Sequence, residues 1–271
     1  MILIIASTED VASMNIAHKI IDSYEFAKAS ESFQQNPVYS QTISEQEIKL
    51  IFVTEELVHT QFLTDFFKPE LFVFVSRHSS VTGIPTLSVH APGNLSKAEV
   101  GGLTRKISVS PACAMKRALL ELARQKEELG LKYRVSYECT HHGPSLDLPT
   151  MFVELGSSPM QWEDSKAAEA VAQAAMAAIT SQLECVAVLG VGGPHYNEKF
   201  TRLALRTQTA FGHIIPKYSI PRIDAKMMVQ CIQRTVEKVE SAVFDWKGIR
   251  GADRKRLIET LDEIGVSVER V

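Results

Sequence analysis

Leu71-Phe72-Val73-Phe74-Val75-Ser76, running on into Arg77-His78-Ser79-Ser80, is the stretch that decides the fold class. It is nearly all apolar, as expected for an interior strand covered on both faces. Upstream, residues 1–7 read as a first buried strand, and Asp10 caps a helix through about residue 23 with Ile16, Ile20 and Ile21 on its apolar face. Residues 27–46 are polar, carry Pro37 and read as a surface loop or ragged hairpin; a second strand follows at 48–53, then a short helix at 58–67 stopped by Pro69.

Downstream, strands are expected at 86–89, 135–139, 150–154, 185–189 and 241–244, with the stretch 210–218 at or near another and a short strand in the tail. Helices are expected at 111–129, closed by Gly130, at 163–182 in an alanine-rich run, around 199–205, and from Asp224 to about 239. This alternation predicts one α/β domain over residues 1–271, a three-layer α/β/α arrangement on a mixed central sheet. The segment 247–264, with Lys247, Arg250, Arg254, Lys255 and Arg256 beside Gly248 and Gly251, is expected as a basic loop and helix, and its loop could be mobile and contact phosphates.

Composition excludes several classes. The chain has 271 residues, is 45% hydrophobic and carries a net charge of -3, so no global basic field marks a nucleic-acid partner. The apolar N-terminal run lacks a basic flank and does not resemble a signal peptide. The longest apolar stretch, 167–179, is interrupted by Glu169 and Gln173 and is too short to cross a bilayer, so no membrane partner and a cytoplasmic location are expected. Cys113, Cys139, Cys185 and Cys231 are scattered without a C-x-x-C pair, which indicates neither a zinc ribbon nor a disulfide framework.

The histidines carry the functional signal. His78, His90, the pair His141-His142 and His195 each follow a predicted strand, and Glu138 and Glu154 hold similar strand-end positions. Ligands of open α/β sheets bind outside the carboxyl ends of strands, so these residues could converge in one crevice. Zinc accepts imidazole nitrogen and carboxylate oxygen, which makes His78, His90, His141, Glu154 and His195 candidate ligands and Glu138, His141 and His142 the candidate catalytic centre. Adjacent His141 and His142 should diverge if the chain is extended, so sharing one ion is not expected of them. Cys139 is expected in the core, His213 as a structural residue, and His18 and His59 as helix residues without a role. Gly192-Gly193-Pro194 could present free amides to an oxyanion or phosphate. Arg77, Lys217 and Arg250 are further candidates for binding substrate. No G-x-S-x-G elbow is present, which disfavours a serine hydrolase.

Together these motifs resemble a known family. Ser76-Arg77-His78-Ser79-Ser80, Ser88-Val89-His90-Ala91-Pro92-Gly93-Asn94, Glu138-Cys139-Thr140-His141-His142-Gly143-Pro144, Glu154-Leu155-Gly156-Ser157-Ser158, Gly192-Gly193-Pro194-His195-Tyr196 and His213-Ile214-Ile215-Pro216-Lys217-Tyr218 resemble, in this order, the archaeal and plant type of D-aminoacyl-tRNA deacylase. The resemblance implies a phosphorylase/peptidyl-tRNA hydrolase-like fold and hydrolysis of the ester between a D-amino acid and tRNA, a proofreading task with broad side-chain specificity. It also implies two zinc ions per subunit. The alternatives from other classes are a zinc aminopeptidase, a nucleoside phosphorylase-like enzyme, and a non-catalytic RNA-binding protein with structural zinc.

Overall fold

The computed structural model describes residues 1–271. The first half of the chain runs β1 (Ile2–Ser7), α1 (Val11–Ser23), β2 (Ala27–Phe33), β3 (Asn36–Ile43), β4 (Gln46–Val53), α2 (Leu63–Phe66), β5 (Leu71–Ser79) and β6 (Thr86–His90). It continues through α3 (Ala112–Glu128), β7 (Arg134–Tyr137), β8 (Thr150–Ser157), α4 (Pro159–Trp162), α5 (Ser165–Thr180) and β9 (Val186–Val191). It ends with α6 (Glu198–Arg206), β10 (Thr209–Ile215), α7 (Ala225–Gln233), β11 (Val239–Phe244), α8 (Gly251–Glu263) and β12 (Ser267–Arg270). No helix is long and apolar enough to cross a membrane.

The α/β expectation holds, but the strands form two sheets. Eight strands line up in the order β2-β3-β4-β1-β5-β8-β6-β7, and four in the order β10-β9-β11-β12. The larger sheet is mixed: β4, β1, β5 and β8 are parallel, whereas β6 runs antiparallel to β8. The two sheets are joined past the end of β7 only by single contacts, such as the Cys139 amide to the His195 carbonyl and the Thr140 amide to the Ile214 carbonyl. Residues 27–46 are the β2–β3 hairpin and its approach to β4.

Alternation along the strands sends residues to two different layers. Ile2, Ile4 and Ala6 face α1, α3 and α5 in the largest core, which also takes in Phe211 and Ile214 of β10. Asp10 caps α1 by accepting from the Ser13 amide at 3.1 Å, and Ala12, Ile16, Ala17 and Ile20 are its buried stripe. The alanine run of α5 leaves its backbone close to neighbouring helices, with Ala167, Ala168, Ala170, Ala174 and Ala175 fully buried. Leu3, Ile5, Phe72, Phe74 and Phe152 point the other way into a smaller core under α2 and the loops. That second face has no complete helical layer, and it is where the sheet stays open.

Two expectations are corrected. Cys113 and Cys185 are joined in a disulfide with Cα atoms 5.9 Å apart, linking the start of α3 to the approach to β9 across 72 residues; no local spacing signals such a pair. Helix α7 stops at Gln233, short of 239, because the Ser110 amide takes the Arg234 carbonyl and Ser110 bridges Thr235. The basic stretch 247–264 contains the expected helix, α8. Leu257 and Leu261 of α8 are buried in a core with Ile220 and Ile223, and Arg256 donates to the Ile220 carbonyl at 3.0 Å.

Candidate active site

The expected crevice lies on the open face of the sheet: His78 and Glu154 lie within strands and His90 ends β6, whereas Glu138, His141 and His142 follow β7 and His195 follows β9. Strands β5 and β8 run on to Ser79 and Ser157, so His78 and Glu154 are strand residues. Ser76 pairs with Glu154 across β5–β8, and Ser88 pairs with Glu154 across β8–β6. Strand periodicity then puts Phe72, Phe74, Ser76 and His78 on one face, beside Phe152 and Glu154. The row changes from aromatic to polar partway along. Phe74 stacks on Phe152 at 4.7 Å, and His90, registered opposite Phe152, stacks on its other side at 5.1 Å. The aromatic core therefore forms the floor from which the polar groups rise.

Two buried carboxylates occupy the centre. Glu138 Oε1 is 3.1 Å from His78 Nδ1, and Glu138 Oε2 is 2.8 Å from His195 Nε2 and 3.6 Å from His141 Nε2. Glu154 Oε2 is 3.3 Å from His78 Nδ1, and its Oε1 accepts from Ser76 Oγ at 2.8 Å. The far nitrogens of the two histidines are also held: His78 Nε2 meets the Tyr196 hydroxyl at 2.8 Å, and His195 Nδ1 lies 3.2 Å from both Cys139 Sγ and the Tyr218 hydroxyl.

These contacts set the charges. Burial alone would depress His78, but Glu138 and Glu154 outweigh it and raise the imidazole to about 11. Burial likewise opposes protonation of His195, and contacts with Cys139 and Glu138 overcome it, raising it to about 11. Burial would raise both carboxyls, yet the adjoining imidazoliums hold Glu138 well below the carboxylate range, and contact with His78 lowers Glu154 in the same way. His141 goes in the opposite direction: burial first, then the neighbouring His142 and His90, hold it well below the usual value. Burial and His90 lower His142 to about 4.

The adjacent histidines do not diverge as expected, because the chain is not extended there. His142 has φ 41°, in the left-handed region, which turns the second ring back beside the first. His141 Nδ1 donates to the Cys139 carbonyl at 2.8 Å and His142 Nδ1 to the Gly143 carbonyl at 2.7 Å. A carbonyl only accepts, so both Nε2 atoms are left with lone pairs. The rings of His90, His141 and His142 lie 4.2–4.9 Å apart, and each can offer a nitrogen within 4.8 Å of the other two.

A metal fits this arrangement. His90 is buried, and neither of its ring nitrogens has a hydrogen-bond partner; Nε2 comes only to 3.5 Å from Glu154 Oε1, whose bond is already made to Ser76. Leaving a buried polar atom unpaired costs about 1–3 kcal/mol, a penalty that coordination removes. Three imidazoles are a familiar zinc donor set. His78, Glu138 and Glu154 form a second group within the same 4.8 Å limit, and Cys139 with His141 and His195 a third. Cys139 is buried as expected, but its sulfur faces the site.

The cluster forms the floor and one wall of a cavity of about 480 Å³ that also meets Ser7, Asp10, Glu56 and Arg77. Arg77 is held at its mouth by Glu56 at 2.7 Å and lies over the Trp162 ring at 5.6 Å. The Gly192-Gly193 corner is not at this cavity. The Gly192 amide is already donated to the Ile215 carbonyl at 2.8 Å, and a side chain on Gly193 (φ +79°) would come within 2.3 Å of Asn197 Nδ2. The glycines serve a tight turn, and the Gly192 amide is not free for an anion. Lys217 and Arg250 line a separate hollow of about 150 Å³, where Arg250 pairs with Asp253 at 2.8 Å. His213 is structural: Nδ1 meets Thr140 Oγ1 at 3.0 Å and Nε2 the Arg234 carbonyl at 3.1 Å. His18 and His59 are exposed and apart from the cluster.

Sequence reasoning missed Ser76, Tyr196 and Tyr218. Period-two alternation back from His78 would have found Ser76. Tyr196 adjoins His195, but only the fold shows that its hydroxyl reaches His78. Nothing local marks Tyr218, which meets Cys139 from 79 residues away.

Residues 65–269 match the family described as D-aminoacyl-tRNA deacylase. The D-aminoacyl-tRNA deacylase of Pyrococcus furiosus is 36% identical over 271 residues, covering 97% of each chain. That of Methanosarcina barkeri is 35% identical over 276 residues, covering 98% of this chain and 88% of the relative. Among solved structures, the conserved protein AF0625, described as of unknown function, superimposes with a TM-score of 0.89 at 30% identity, covering 100% of this chain and 95% of the other. On these matches, the chain belongs to the D-aminoacyl-tRNA deacylase family.

Proposed function

We propose that this protein hydrolyses the ester linking a D-amino acid to the 3′ end of tRNA, releasing free tRNA and the D-amino acid. The observation that carries this reading is the pair of buried, ionised carboxylates between charged and neutral imidazoles on the cavity floor of a chain from this family. His90, His141 and His142 would hold one zinc ion; a second ion at His78, Glu138 and Glu154 would have to displace the proton that His78 carries between the carboxylates, so that group is assigned to proton transfer. Bound by the three histidines, zinc supplies a Lewis acid and lowers the pKa of water toward ~7.

The protein's own groups divide the proton work. Glu138, ionised and in contact with three histidines, takes the proton of the attacking water. His195 and Ser76 orient the carboxylates, one on each. His78 is held as an imidazolium, its Nδ1 between the two carboxylates and its Nε2 at the Tyr196 hydroxyl, so the Nε2 proton can pass through Tyr196 to the departing 3′ oxygen while Nδ1 keeps its own. The aromatic floor of Phe74 and Phe152 excludes water beneath the reacting carbonyl.

Incubation with D-tyrosyl-tRNA and L-tyrosyl-tRNA tests the proposal. Release of D-tyrosine should outpace release of L-tyrosine by at least tenfold (~1.4 kcal/mol of discrimination). Equal rates on the two would remove the chiral reading.

A further inference from the structure

The histidine cluster stands between two cavities. The 480 Å³ cavity carries Glu9, Asp10 and Glu56 around its mouth, with Arg77 held by Glu56 at 2.7 Å, and the charged His78 and His195 beside Glu154 on its floor. On the other side, a cavity of about 250 Å³ is bounded by the 93–100 loop, Tyr218 and Ser219. Val100, His141, His142 and His195 belong to the walls of both. The second cavity leads past Ser96 and Lys97 into a third of about 390 Å³, whose wall includes Lys97, Thr104, Arg105 and Arg222 with Glu99 as its one acid. Arg105 then borders a shallow depression with Lys106, Lys226 and Arg234.

Two features of this track point to a nucleotide chain. Lys97 and Arg222 are exposed and have no ion-pair partner, unlike Arg105, which is bound by Asp224 at 2.6 Å. Tyr218 is 56% exposed, although its hydroxyl reaches within 3.2 Å of His195. It offers an aromatic surface at the edge of the reacting centre, and stacking on such a ring accepts any base. Beyond an aromatic platform come free cations, the order in which a terminal nucleoside and its preceding phosphates would meet them.

We infer that the substrate crosses the cluster in one direction. The aminoacyl group enters the first cavity, the ester lies at the histidines, the terminal adenosine rests on Tyr218, and the preceding phosphates follow Lys97 and Arg222. Arg77, the guanidinium of the first cavity, is already held by Glu56, whereas Lys97 and Arg222 on the other side are unpaired, which favours this placement over its reverse. This rests on the deacylase reading given above and adds to it a polarity and a docking track.

The test compares the full-length chain with Lys97→Ala/Arg222→Ala on two substrates, D-tyrosyl-tRNA and the D-tyrosyl ester of adenosine, which has no phosphate. In the double variant kcat/KM should fall about tenfold more on the tRNA than on the nucleoside ester. The slope of log kcat/KM against log salt on tRNA should flatten by about 1.4, at ~0.7 per single-strand phosphate contact. Tyr218→Leu should lose more on the nucleoside ester than Tyr218→Phe, which keeps the ring. Equal losses on both substrates, an unchanged salt slope, or transfer of the salt-dependent loss to Lys217→Ala/Arg250→Ala would each overturn the polarity. If the unaltered protein cleaves neither ester, the deacylase reading falls with it; if it cleaves both, only the polarity is at stake.

Discussion

His90 and His213 are both buried histidines in β-strands, and they differ in what their nitrogens meet. His213, in the four-stranded sheet, has a hydroxyl on one nitrogen and a carbonyl on the other. His90, in the eight-stranded sheet, has neither, and instead faces His141 and His142. Burial is the same in the two regions; satisfaction is not. A satisfied imidazole is part of the fold, whereas an orphaned one among lone-pair donors marks a place where something else must bind. The same distinction separates Gly192, whose amide is already used, from the free Nε2 atoms of His141 and His142.

Breaking the site side of this contrast should have the largest effect. Glu138→Gln removes the charge between His78, His141 and His195. It should lower kcat on D-tyrosyl-tRNA by roughly 1,000-fold, about 4 kcal/mol of transition-state stabilisation, while the circular dichroism spectrum keeps its native form. A variant retaining a tenth of the activity would move the proton acceptor elsewhere.

His90→Phe comes next. No hydrogen bond is lost and the ring can still stack on Phe152, so unfolding free energy of the metal-free protein should change by less than about 1.5 kcal/mol. Activity should fall by about 100-fold, and bound zinc per chain, measured by emission spectrometry, should drop. Dialysis against a chelator should destabilise the unaltered protein by about 2.7 kcal/mol if metal is present at a hundred times its dissociation constant. The variant should lose less; equal losses in both would place the metal away from His90.

The fold side should respond in the opposite way. His213→Phe removes two buried hydrogen bonds, to Thr140 Oγ1 and the Arg234 carbonyl, which keep the Ile214 and Ser110 amides as partners, and should cost about 2 kcal/mol in denaturant unfolding. Its turnover per folded molecule should stay within about fivefold, at most ~1 kcal/mol in barrier height.

The smallest effect is a slope. Burial holds His213 at about 4, only partly offset by the Arg234 carbonyl, whereas the unfolded chain titrates near ~6.5. Between those values the unfolded state binds the extra proton, so this stability is complete above pH ~6.5 and is lost as pH falls toward 4. The unaltered protein should show up to about 1.4 kcal/mol per pH unit more acid sensitivity in this window than His213→Phe. Parallel stability curves would mean that His213 is protonated in the folded state.

Much of this molecule was legible in local sequence, because local physics decides it. Asp10 caps α1 as its position before Ile16 and Ile20 implied, and the apolar run at 71–75 is an interior strand. His78, His141, His142, His195 and Glu154 line one cavity, with His90 and Glu138 buried against them, and the motif order already resembled the family that the matches bear out. Other features depended on distance in space. The division into two sheets, the Cys113–Cys185 link and the reach of Tyr218 to Cys139 all join segments that no periodicity connects.

Residue types and strand periodicity determined which side chains could do chemistry here, since a two-residue repeat sends Ser76 and His78 to one face of their strand whatever surrounds them, while the β5–β8 register set Glu154 beside them. Only the tertiary structure decided how they divide the work. Whether an imidazole is charged, neutral, satisfied or orphaned depends on which distant group stands within about 3 Å of it. The left-handed turn at His142 then brought together two rings that an extended chain would have held apart.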